Sequence, residues 1–190
     1  MNIWLDIDNS KHIPFLKNLI TELKQRGHAV TVTAENNKSI KQALGEHNLN
    51  AKVTGFTFSV FGLFEEQSYL FRTALVSDYI KKRNINIAFS LGSIPMLYEC
   101  SSSNMPIILF IENTSEKIHQ FYQVLEKCFL LISETMPEQL LVDKGFEVNK
   151  IIHYKGNLKK DDLNPDPKAI KEIADKIEFL CNHVPGGVTA

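Results

Sequence analysis

Neither a Gly-x-Gly-x-x-Gly loop nor a Gly-x-x-x-x-Gly-Lys-Ser/Thr loop occurs anywhere in the chain, which disfavours dinucleotide and nucleoside-triphosphate sites of those types. Cysteine is scarce. Cys100, Cys128 and Cys181 are odd in number and widely spaced, and form neither a zinc pattern nor a disulfide framework. An excess of one charge is missing too: 21 Lys and Arg face 22 Asp and Glu, so nothing electrostatic calls for nucleic acid or anionic lipid. No run of about 18 apolar residues exists, so no transmembrane segment is expected. The opening, Met1 to Asp6, lacks a basic stretch and soon meets a carboxylate, and is not read as a signal peptide. No His pair has metal-ligand spacing on a helix, so no metal and no cofactor is expected. With no repeat and no low-complexity segment, these absences lead to the expectation of a soluble cytoplasmic protein.

What is present suits one domain. A chain of 190 residues, 44% hydrophobic and 23% charged, has the composition of an ordinary globular protein. At that size it buries roughly 70% of its unfolded surface and needs no staple. Apolar runs at 2–7, 28–33, 52–54, 85–91, 106–111, 128–132 and 150–153 read as strands. Between them, helical spacing predicts helices over 13–23 (Ser10 as cap, Gly27 as stop), 39–46, 63–82, 94–101, 116–125 and 138–144. In the long helix the apolar residues singled out are Leu70, Phe71, Ala74, Leu75 and Ile80. Strands alternating with helices imply parallel βαβ units, and uninterrupted apolar runs such as Ile107 to Ile111 imply strands buried on both faces. The expected fold is α/β: a three-layer, Rossmann-like, mostly parallel sheet with helices on both faces. Residues 1–155 form that domain and 156–167 a polar connector broken by prolines. Residues 168–181 form a helix packing back on the domain, and 182–190 a flexible tail.

Ligands of open parallel sheets bind beyond the carboxyl ends of the strands. That rule nominates Asp6, Asp8, Asn9 and Ser10; 34–36; Ser90, Gly92 and Ser93; 112–115; 133–135; and 154–156. Asn and Ser in such loops also serve simply as caps and turn formers. Around Ser90-Leu91-Gly92-Ser93, glycine permits close backbone approach and the following helix start favours an anion. His12 faces the same rim, either as a functional residue or as an exposed neighbour of the cap, while His28 reads as structural. Phe56, Phe58, Phe61 and Phe64 suit a core or loop anchor, a stacking surface, or a patch awaiting a partner.

Two resemblances follow. Asp6-Ile7-Asp8-Asn9-Ser10 looks like the nucleophile motif of haloacid dehalogenase-type phosphatases, and Lys159-Lys160-Asp161-Asp162 mimics that family's later lysine and metal-binding acids. The context differs, because no strand delivers the acidic pair and none follows it. A magnesium-dependent phosphatase is therefore the lesser alternative. Far more of the chain resembles the DUF354 family, mostly archaeal proteins of the GT-B superfamily, which includes glycosyltransferases and UDP-N-acetylglucosamine 2-epimerases. The resemblance is carried by Trp4 to Ala34, Ala88 to Ser93, Ile107 to Phe110, Tyr154-Lys155-Gly156 and Asn164 to Pro167, and spans residues 1–167.

The resemblance implies a single GT-B N-terminal-type domain, one half of a two-domain enzyme whose cleft binds a nucleotide-sugar or glycan. Carried over residue by residue, it gives Asp8, Asn9, Ser10, His12, Ser90, Gly92, Ser93, Asn113, Tyr154, Lys155 and Gly156 as ligand-binding candidates. Asp6, Asp8, His12 and Glu112 are the candidate catalytic groups. Where the family shows an acid followed by Glu-His, this chain reads Glu112-Asn113-Thr114-Ser115, so that pair is lost. The second half is also absent from the sequence. The expectation is a stand-alone glycosyltransferase- or epimerase-like half, inactive alone, completed by a separate chain or by a homodimer. The alternative is a non-catalytic interaction or regulatory module derived from such an enzyme.

Overall fold

The computed structural model describes residues 1–55, 65–111, 127–155 and 166–183. Among the described residues seven strands form one wholly parallel sheet: β1 (Asn2–Ile7), β2 (Ala29–Glu35), β3 (Lys52–Thr54), β4 (Ile87–Ser90), β5 (Ile107–Ile111), β6 (Cys128–Ser133) and β7 (Ile151–Tyr154). Their order is β3-β2-β1-β4-β5-β6-β7, so the chain winds outward from β1 to one edge and restarts at β4 toward the other. The point of reversal lies between β1 and β4, with Ile3, Trp4 and Leu5 opposite Ile87, Ala88 and Phe89. This is the doubly wound Rossmann arrangement, and at such a reversal the two neighbouring strand exits part to leave a crevice.

The described helices are α1 (Ile13–Gln25), α2 (Lys38–Glu46), α3 (Glu65–Ile80), α4 (Ile94–Ser103), α5 (Gln139–Val142) and α6 (Pro167–His183). Alternation along β1 divides its side chains between two cores. Ile3, Leu5 and Ile7 face one layer with residues of α1, α2 and α6, while Trp4 faces the other with residues of α3, α4 and α5. The helix α6 lays Ile170, Ile173, Ile177 and Leu180 into the first core beside Leu16, Leu19 and Leu23 of α1.

Several local details differ from expectation. Asn9, not Ser10, caps the first helical segment: its side chain accepts from Lys11 N, and Ser10–His12 forms a 3-10 turn leading into α1. The end of α1 is as anticipated. Gly27, at φ +86°, donates to Lys24 O, and His28 donates to Leu23 O, the paired bonds of a left-handed glycine stop. In α3 the apolar residues singled out divide between the two faces, with Ile80 inside and the others outside. Arg72, Val76 and Ile80 are buried, whereas Leu70, Phe71 and Leu75 are exposed. The helix expected at 116–125, the aromatic stretch from Phe56 to Phe64, Lys159 to Asp162 and the tail beyond 183 lie outside the described residues. Among the described residues no helix is long and apolar enough to cross a membrane.

Candidate functional site

Asp6, one residue before the end of β1, lies on the side facing α3 and α4, and its carboxylate has no exposed surface. Its Oδ1 accepts from Thr33 Oγ1 at 2.5 Å and from Arg72 at 2.6 Å, and its Oδ2 accepts from Ser93 Oγ. Thr33 Oγ1 in turn accepts from the indole N–H of buried Trp4 at 2.9 Å. Arg72 reaches the carboxylate from α3 by laying its aliphatic stem across Gly55. A Cβ built there would sit 2.9 Å from Arg72 Cγ, so only glycine leaves room. A buried charge persists only when paired and hydrogen-bonded, and this one is held from β2, α3 and the start of α4 together. The network locks β1, β2, α3 and α4 at the crevice floor. Asp6 is therefore closed to a substrate, which removes what favoured it as a nucleophile.

The turn after β4 is likewise turned inward. Ser90 Oγ accepts from Gly92 N and Ser93 N, both at 3.0 Å, and Ser93 Oγ accepts from Met96 N. Three backbone donors at the start of α4, the groups expected to meet an anion, are thus satisfied within the chain. Gly92 stays at the surface of the turn with φ +107°, and a Cβ built on it would meet nothing within 4 Å. Its backbone consequently borders open space.

The first loop keeps its polar side chains at the surface. Asp8, Asn9 and Ser10 are partly or fully exposed. His12 Nδ1 lies 3.7 Å from Asp8 Oδ1, too far for a hydrogen bond, and has no other partner among the described residues. A carboxylate beside an imidazole at a strand exit is a pair able to bind a hydroxyl and take its proton. Tyr154 is not part of this rim: its ring is buried, 5.4 Å from that of Phe110 in the aromatic row that continues to Phe15. Lys155 is exposed beyond β7, whereas Glu112, Asn113 and Gly156 lie outside the described residues. The residues missed by sequence reasoning are Thr33 and Arg72. Arg72 left one signal, an arginine at helical spacing with Val76 and Ile80 on a buried stripe. Among the described residues no group of three or more His, Cys, Asp or Glu is arranged to hold a metal ion.

The family described as "Protein of unknown function (DUF354)" matches residues 1–183. The chain belongs to the DUF354 family. Solved structures with the same fold include the UDP-GlcNAc 2-epimerase of Methanocaldococcus jannaschii, at 16% identity and TM-score 0.67, covering 100% of this chain and 54% of that one. The Neisseria meningitidis UDP-GlcNAc 2-epimerase bound to UDP-GlcNAc is similar at 11% identity and TM-score 0.62, covering 95% of this chain and 50% of the other. MurG of Acinetobacter baumannii is similar at 13% identity and TM-score 0.59, with 84% and 46% covered. No curated protein matches the sequence. This DUF354 chain therefore has the fold of one GT-B half and spans about half the length of the structures it resembles.

Proposed function

We propose that this domain holds a nucleotide-sugar or a sugar acceptor in the crevice between β1 and β4, as one wall of a cleft completed by a second GT-B half. The observation that carries the reading is the Asp8–His12 pair after β1 and the open backbone of Gly92 after β4, on the two strand exits that flank the sheet's reversal point. Asp8, Asn9, Ser10 and His12 supply side chains and Gly92 supplies close approach. Ser90, Ser93 and Asp6 shape the floor without touching ligand. Glu112, Asn113, Lys155 and Gly156 remain candidates from the family resemblance. The half acts in glycosyl transfer or sugar-nucleotide epimerisation with a partner chain, because a reaction in a cleft needs groups from both walls in register.

The test is a thermal-shift and calorimetric titration with UDP, UDP-N-acetylglucosamine and inorganic phosphate plus magnesium. A ligand at ten times its Kd stabilises by about 1.4 kcal/mol, enough to read as a rise in Tm. The expected result is a shift with the UDP-sugar that disappears in Asp8→Ala and shrinks in His12→Ala. No shift with any nucleotide, or one that both variants leave intact, overturns the reading. The alternative, a non-catalytic interaction module, is favoured by one observation: the donors of the β4 exit are already consumed internally. The phosphatase alternative loses its support with the burial of Asp6, and would return only with magnesium-dependent phosphoester hydrolysis abolished by Asp6→Asn.

A further inference from the structure

We draw no further inference here: the strongest candidate, the apolar patch that Leu70, Phe71 and Leu75 leave exposed on the outer face of α3, carries nothing, because no feature of the structure shows what covers it.

Discussion

Asp6 and Arg72 show how a residue's meaning changes with its surroundings. An Asp-x-Asp at a strand exit suggests a nucleophile, yet Asp6 is fully enclosed and held by Arg72, Thr33 and Ser93. Removing one partner of a buried ion pair leaves an uncompensated charge, so Arg72→Ala should cost about 3–5 kcal/mol of stability. Urea unfolding measures it, and a loss below about 1 kcal/mol would mean that the pair is loosely solvated rather than locked. The cysteines make a second residue-scale prediction. Burial pushes Cys128 up to about 12 and Cys181 up to about 11, and holds Cys100 well above its ordinary value. At pH 8 all three thiols should stay protonated, and Ellman's reagent should react slowly with the native chain but promptly with the same chain in urea.

At the scale of elements, α6 is tied to the domain by charge as well as by packing. Arg26, at the end of α1, binds Asp175 at 2.6 Å and Glu178 at 2.9 Å, while His28 Nε2 lies 2.7 Å from Glu178. The hydrogen bond from His28 lowers the Glu178 carboxyl below its usual value, partial burial opposes this, and the bond from Arg26 adds to the lowering. A carboxyl depressed in the folded state contributes stability above its unfolded pKa and loses it as pH falls through the folded one. Docking of α6 should therefore weaken below about pH 4.5. Glu178→Gln should flatten that dependence and cost up to about 1 kcal/mol at neutral pH, because the pair is partly exposed. Hydrogen exchange of 167–183 against pH reads both effects. The apolar stripe of α6, at regular spacing, was legible beforehand. The buried face of α3 was not, since its apolar residues lie all round the helix and only the position of the sheet selects Val76 and Ile80 over Leu70 and Phe71.

At the scale of the whole molecule, the chain has the fold of one GT-B half, at about half the length of the structures it resembles. Under the proposed reading, one wall positions a ligand and a reaction that needs both walls is not completed by it. Incubated alone with UDP-N-acetylglucosamine, the purified chain should release no UDP and change no sugar configuration over hours by proton NMR. Turnover by the chain alone would overturn the proposed need for a second wall.

The sequence by itself determined the strands, their parallel order of succession and the glycine stop of α1, because these rest on local physics. A strand buried on both faces must be a continuous apolar run, and a helix stop such as Gly27 needs only its own backbone angles. It also placed Asp8 and His12 on one loop, four residues apart, where the 3-10 turn brings them together. Only the tertiary structure decided which polar groups were free. Asp6 read as a catalytic candidate along the chain, but β2 and α3 supply Thr33 and Arg72 from 27 and 66 residues away to hold its carboxylate. The hydroxyls of Ser90 and Ser93, read as binding groups, are engaged within their own turn and with Asp6. Tyr154, too, joins the core only because Phe110 stands beside it on the folded sheet. Hydrogen-bond satisfaction and burial are properties of neighbours in space, and a single sequence records neighbours only along the chain.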